Sequence, residues 1–461
     1  MNVLFVYPNI NGFHEDTYSF GLASIVSITR SHGHTPKVVI LKTTKDYSNV
    51  FAQIEDFKPR IIGFSSVSSQ FGFIKDLAQE IKVRFPGIIT VCGGVHPTID
   101  PQCLLETEFL DTIFVGESEL SFADFLSKVE KNLPYFEVNN LGYRKNGKIK
   151  VNELRPLIQD LDPVPYPDRE IYPFGETLKN VGYAPFLFSR GCPYLCSYCS
   201  NHAIAKAYSF PRNFTRYRSV GSAIGEIESV LNRFSVNKIL IVDDIFGLDK
   251  KWRDEFCVNY KKMIGIGFQC LLRANLIDED FIRQLKMAGC FRISIGVESG
   301  NDYVRNNIMN RHMSKEQIIN AFDLARKYGI QTNALNIIGV PGETEDMIRD
   351  TIRLNRRIRP TSSGINVFYP YKGTVLGNQC FEKGLVDEAA YANFSRERRE
   401  TVLNYPLPFK RKLSYYRDNW EVFVYPFSFK RRLARMLRNT AIWGWLSFVK
   451  RMVIKFSFLR K

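Results

Sequence analysis

A chain of 461 residues is longer than one hydrophobic core commonly supports, so two or three domains are expected. Its 45% hydrophobic and 24% charged content excludes a disordered chain and fits an ordinary globular protein. The net charge of +16 is uneven: ten Lys or Arg and no acid lie between Lys430 and Lys461, so the body is only mildly basic.

The opening "MNVLFVYP" has no basic n-region and too short an apolar run for a signal peptide. No run of about eighteen apolar residues occurs, so no membrane-spanning helix is expected. Nine cysteines without an export signal predict a reducing, cytoplasmic setting, with clustered cysteines acting as ligands and not as disulfides.

Through residues 1–135, β-branched runs at 3–7, 37–41, 60–65, 88–92 and 112–115 alternate with helical spacing at 21–31, 50–57, 73–85 and 121–131. This alternation predicts an α/β, Rossmann-like domain with a parallel sheet covered on both faces. The carboxyl ends of its strands, where such sheets bind ligands, are rich in Gly, Ser and His. No GxGxxG follows the first strand and no P-loop occurs, so dinucleotide and P-loop readings have no support.

Residues 136–180 hold many prolines and little periodicity, and read as a linker. Strand–helix alternation resumes over 181–375. Strands are expected at 186–189, 238–243, 267–273, 292–297, 332–338 and 364–369, with helices at 220–234, 251–263, 278–288, 314–328 and 343–357. Six strands with intervening helices suit a partial (β/α)6 TIM-like barrel. Its predicted active face carries cysteines, acids, an arginine and glycines. Residues 376–461 form a basic, aromatic and mainly helical C-terminal region, in which 430–439 is a short amphipathic helix suited to an anionic bilayer surface.

Cys192, Cys196 and Cys199 are spaced C-x3-C-x2-C just after the first barrel strand. Zinc with His202 as fourth ligand is one reading. An iron–sulfur cluster with one open iron is the other, and Cys257, Cys270 or Cys290 are distant candidates for a fourth ligand.

This spacing, with Tyr198 before the last cysteine, resembles the radical S-adenosylmethionine (SAM) enzymes. The resemblance implies a [4Fe–4S] cluster on Cys192, Cys196 and Cys199, whose open iron chelates SAM. It places Tyr198 beside the adenine and gives the SAM amino group to the Asp243–Asp244 strand end, Asp244 in particular. Arg273 would hold the SAM carboxylate, Glu298 and Ser299 would lie near the ribose, and Gly339 and Gly342 of "GVPGET" near the adenine. Structural readings stand beside these: Asp243 or Asp244 as helix caps, Arg273 as their ion-pair partner, and the glycines as turns.

The first domain resembles the cobalamin-binding domain that precedes some radical SAM barrels. The matches are Ser65 and Ser66 after the third strand, Gly93 and Gly94 after the fourth, and Gly116 and Glu117 of "GESE" after the fifth. The D-x-H-x-x-G motif that supplies a lower cobalt ligand is missing; His14 and His96 are the nearby histidines, read first as loop residues.

Together the resemblances imply reductive cleavage of SAM to a 5′-deoxyadenosyl radical and hydrogen abstraction from an unactivated carbon. Methyl transfer is the leading outcome, and cyclisation, rearrangement or a redox step the alternative. An external one-electron reductant of the flavodoxin or ferredoxin type is implied. The substrate is a small or lipid-linked molecule, with peripheral membrane contact through 430–461 as an expectation. Base-reading fingerprints are missing, so no specific nucleic acid is expected. A zinc-stabilised, basic nucleic-acid-binding protein is the competing class. Anaerobically purified protein is expected to carry about four irons per chain; metal analysis returning about one zinc instead would favour that competitor.

Overall fold

The computed structural model describes residues 1–10, 18–171, 174–392 and 397–428; His14 and the tail 430–461 lie outside the described residues. The strands are β1 (Asn2–Pro8), β2 (Thr35–Leu41), β3 (Ile61–Ser65), β4 (Ile89–Gly93), β5 (Thr112–Phe114), β6 (Leu141–Lys145), β7 (Lys148–Val151), β8 (Ala184–Phe186), β9 (Ser189–Arg190), β10 (Arg216–Tyr217), β11 (Ile239–Ile241), β12 (Phe268–Leu272), β13 (Cys290–Glu298), β14 (Gln331–Ile338) and β15 (Ser362–Val367).

The first sheet runs β2-β1-β3-β4-β5-β6-β7, parallel through β5 and antiparallel beyond it. Strand β1, flanked by β2 and β3, carries Val3, Leu4, Phe5 and Val6, all buried, because helices cover both faces. Strands β6 and β7 fall inside the stretch read as a linker. Their turn is Asn146–Gly147, both at positive φ, which is the geometry of a type I′ hairpin. The stretch therefore begins by widening the first sheet, and it also contains the helix Phe174–Val181.

The second sheet is wholly parallel, in the order β15-β14-β13-β12-β11-β8. Its helices start where short polar side chains cap them. Asp249 accepts from Trp252 N, Asp278 from Phe281 N, and Ser314 forms a reciprocal capping box with Gln317. The first barrel strand ends at Phe186. Ser189, expected to end it, instead forms with Arg190 a separate short strand antiparallel to β10.

Both edges of this sheet are covered. Helix Leu407–Val424 lays Leu413, Tyr416, Trp420 and Val424 against Val367 of β15, and Trp420 Nε1 donates to Ser363 Oγ at 2.8 Å. At the other edge, Arg169 donates to the Pro185 carbonyl of β8 at 2.8 Å and pairs with Glu226 at 2.7 Å. The Arg169 guanidinium sits 4.5 Å from the Tyr18 ring centroid and 4.9 Å from that of Phe186. One linker side chain thus joins the N-terminal domain to the barrel.

Arg169 and Glu226 are both nearly fully buried, so losing either strands a charge. Arg169→Ala is expected to lower stability by about 3–5 kcal/mol. The exposed Arg233–Glu170 pair should respond to Arg233→Ala by about 1 kcal/mol or less. Chemical denaturation of the two variants measures the contrast.

Candidate active site at the domain interface

The carboxyl ends of both sheets face one cavity of about 520 Å³. Ser65, Gly93, Gly94, Gly116 and Glu117 line it from the first domain; Phe188, Arg190, Gly191, Asn201 and Asp244 line it from the barrel. Gly191 and Asn201 bracket the cysteine loop, so the cavity opens beside the triplet.

The loop is held at its base by the β9–β10 ladder. Ser197 N donates to the Met309 carbonyl at 3.1 Å, and Ser197 Oγ to that of Ile308 at 2.6 Å. The three thiols are free and mutually close enough to affect one another's ionisation. Burial pushes Cys192 up to about 11 and Cys199 up to about 12, so without a bound cation these thiols stay protonated. Among the described residues no three His, Cys, Asp or Glu side chains close on a single ion. Cys257, Cys270 and Cys290 interact with one another in the barrel core.

Asp243 Oδ1 accepts from Phe188 N at 2.7 Å; burial pushes its carboxyl up to about 7, against that bond and those from Ser189. Asp243 is thus a tie between β11 and the start of the cysteine segment. Asp244 has open surface in the cavity wall, and the protein around it raises its pKa, opposed by Asn201.

Strand β13 has a register shift between Gly296 and Glu298 and ends with Glu298 at φ 61°, a left-handed conformation unusual for a non-glycine residue. That twist places the Glu298 carboxylate 3.4 Å from Arg311 Nη1, which also donates to Tyr198 Oη at 2.7 Å. Burial raises the Glu298 pKa and Arg311 opposes it. Arg273 is fully engaged. Its Nε donates to Asn275 at 2.7 Å, one terminal nitrogen lies 3.7 Å from Cys196 Sγ, and the other donates to the Arg311 carbonyl. Its guanidinium stacks 3.7 Å from the Tyr194 ring centroid. The fork expected to face a SAM carboxylate is turned to protein partners.

The next residue, Ser299, turns its buried hydroxyl to Thr351 Oγ1 at 3.4 Å, on helix Glu345–Ile358. Gly339 donates its N–H to Glu343 Oε2 at 2.5 Å within the turn after β14, and Gly342 lies in the same turn. Tyr198 packs on the cluster containing Val340 of that turn, so "CSYC" and "GVPGET" meet.

In the first domain, Ser66 donates its hydroxyl to the Val67 carbonyl at 3.0 Å. Its N–H bonds the Gly93 carbonyl and its carbonyl accepts from His96 N. Gly94, at φ 102°, lies so close that a Cβ would meet Ser66 O at 2.6 Å. His96 is buried against Phe71 with Nδ1 3.1 Å from Ser68 Oγ, and burial lowers its pKa to about 4.

"GESE" grips the barrel. Arg216 makes a two-pronged bond to Glu117, at 2.9 and 2.5 Å. Arg190 bonds Glu119 at 2.7 Å and lies 3.5 Å from Glu117, while Glu117 N donates to Tyr208 Oη at 2.7 Å. Burial works to raise Glu119, but Arg190 outweighs it and holds the carboxyl below the usual range. Arg190, Arg216, Tyr208 and Arg311 had not been anticipated. The signal for two of them was the acid pair in "GESE" complementing arginines in "SRG" and "TRY".

Residues 186–354 match the Radical SAM superfamily and residues 9–126 match the B12 binding domain. The chain is a cobalamin-dependent radical SAM enzyme. Its cofactors are a [4Fe–4S] cluster, SAM and cobalamin. It is 27% identical over 370 residues to an uncharacterised methyltransferase of Pyrococcus horikoshii, covering 79% of each chain. It is also 27% identical over 411 residues to the anaerobic magnesium-protoporphyrin IX monomethyl ester cyclase of Rubrivivax gelatinosus, covering 86% of this chain and 72% of the cyclase. In fold it resembles the radical SAM methyltransferase TsrM of Kitasatospora setae, solved with cobalamin and a [4Fe–4S] cluster. The TM-score is 0.69 at 17% identity, over 83% of this chain and 75% of TsrM.

The residues present fit the cofactors. Three free thiols lie close together with Cys196 facing two guanidinium groups, and in a cavity lined mainly by apolar side chains the bare backbone of Gly93, Gly94 and Gly116 beside Ser65 permits close approach of a large ligand. Among the described residues no helix is long and apolar enough to cross a membrane.

Burial pushes Glu343 in the "GVPGET" turn up to about 8, opposed by hydrogen bonds from Gly339 and Val340. Its folded pKa exceeds the unfolded one. The stability it contributes is therefore complete below about pH 4.3 and is lost as pH rises through about 8. The melting temperature of Glu343→Gln relative to wild type is expected to rise from pH 5 to about pH 8 and to level off above it in thermal melts.

Proposed function

We propose that the chain transfers a methyl group to an unactivated carbon of a small-molecule substrate. The observation that carries the reading is the cavity shared by the strand ends of both domains, opening beside the cysteine loop. Bound together, the cofactors supply reductive SAM cleavage and a methyl carrier. Cys192, Cys196 and Cys199 hold the cluster. Tyr198, Glu298 and the Gly339–Gly342 turn flank SAM, and Asp244 receives its amino group. Ser65, Gly93, Gly94 and Gly116 form the cobalamin wall. Glu117 acts by fastening that wall to Arg216, which keeps the two cofactor faces opposed and water out.

Methyltransferases among the similar proteins support this outcome. A cyclase among them supports a second one, ring formation without methyl transfer. The basic tail supports a lipid-linked substrate presented at an anionic membrane. An external one-electron reductant of the flavodoxin or ferredoxin type completes the reaction.

Reconstituted protein given SAM and dithionite is expected to release 5′-deoxyadenosine and to show corrinoid absorbance after growth with cobalamin. Arg216→Ala should lower corrinoid retention while iron content holds. Protein carrying four irons that forms no 5′-deoxyadenosine would sink the radical reading, and absent corrinoid absorbance would sink methyl transfer from cobalamin.

A further inference from the structure

Two guanidinium groups converge on one cysteine. Arg273 Nη1 lies 3.7 Å and Arg311 Nη1 4.0 Å from Cys196 Sγ. The other two cysteines are served differently: Cys192 interacts with the Tyr194 backbone and Cys199 with that of Asn201. Both arginines are buried, at 4% and 7% exposure.

The local charge does not balance within the protein. Two buried cations face one carboxylate, Glu298, and that contact is long at 3.4 Å. Arg311 Nε is buried without an acceptor. Isolated buried cations are costly unless an anion offsets them. Thiolates carrying a cluster supply that negative charge, and they supply more of it when the cluster is reduced.

Arg311 is held where it is by its own segment. It follows the wide helical turn Val304–Ile308 and lies between Asn310 and His312, both at positive φ. Its Nη2 donates to the Gly296 carbonyl at 2.8 Å. A Cβ on Gly296 would meet Glu298 Oε1 at 2.5 Å and Arg311 Nη2 at 3.0 Å, so the bare backbone makes room for the pair.

We propose that Arg311, with Arg273, sets the reduction potential of the cluster through Cys196, and that Glu298 moderates it. Arg311 is a positioning and tuning residue, acting through the thiolate. A fixed cation favours the more negative, reduced cluster, whose potential depends on net charge and on hydrogen bonds to sulfur. Removing Arg311 lowers the potential; neutralising Glu298 raises it. This rests on the triplet holding the cluster.

The test is an anaerobic redox titration of reconstituted protein without SAM, followed by the EPR signal of the reduced cluster. In Arg311→Met the ratio of reduced to oxidised cluster at the wild-type midpoint is expected to fall about tenfold, a shift of about 59 mV for a one-electron couple. Arg311→Lys should recover most of it, and Glu298→Gln should shift the midpoint the opposite way. An unchanged midpoint in Arg311→Met, or shifts of the same sign in Arg311→Met and Glu298→Gln, overturns the proposal. If Arg311→Met fails to hold iron, the sign of the Glu298→Gln shift decides. Wild-type protein that holds no four-iron cluster refutes the ligand assignment instead, which keeps the two failures apart.

Discussion

The architecture depends on a set of ion pairs between arginines of the barrel and acids of the first domain. Arg216 and Arg190 reach across to Glu117 and Glu119 from either side of the cysteine loop. Each sheet alone presents an open edge of strand ends, which is a weak site. Locked face to face, the two edges enclose one space. Buried ion pairs of this kind are seldom a net source of stability. They specify one relative placement of two domains, and here that placement brings glycine loops and cysteine loop to opposite walls of a single cavity.

Around the cysteine loop the chain uses unusual backbone in place of long regular elements. Glu298 leaves β13 in a left-handed conformation, and Arg311 sits in a segment bent twice through positive φ. Both devices aim a charged side chain inward from outside the regular strand. Tyr198 joins them through a short hydrogen bond to Arg311. The aromatic residue of the cysteine motif is therefore anchored by the same guanidinium that approaches Cys196.

Periodic features were legible in the sequence, and features made by distant pairing were not. All six barrel strands and the five parallel strands of the first sheet could be read from β-branched runs, because burial on both faces requires such runs. The β6–β7 hairpin was missed although "KNGK" is a strong turn signal, since surrounding prolines dominated the composition. The first barrel strand was placed too late, at 186–189 against Ala184–Phe186, because Ser189 pairs across a loop with a residue more than twenty positions away. Glu298 and Asp244 stand out in the sequence as acids at strand ends, and the fold sets Asp244 in the cavity wall and Glu298 beside Arg311. Arg311 does not stand out, since it lies thirteen residues past its strand end and reaches Glu298 only through folded loop geometry. Ser66 and Ser299 carried suitable hydroxyls, but Ser66 bonds within its own turn and Ser299 lies against Thr351 of a later helix, which no spacing reveals.

The segment between the two cofactor-binding units is itself folded. Its first part is hydrogen-bonded into one sheet, and its Arg169 is caged between aromatic rings of both units. The boundary that composition marks is thus no seam in the inherited sense. Exchanging the first domain between related enzymes would have to carry this segment along, together with the arginines that receive "GESE". Recombination at the apparent linker would part Arg169 from the rings that cage it and the acids of "GESE" from their arginines.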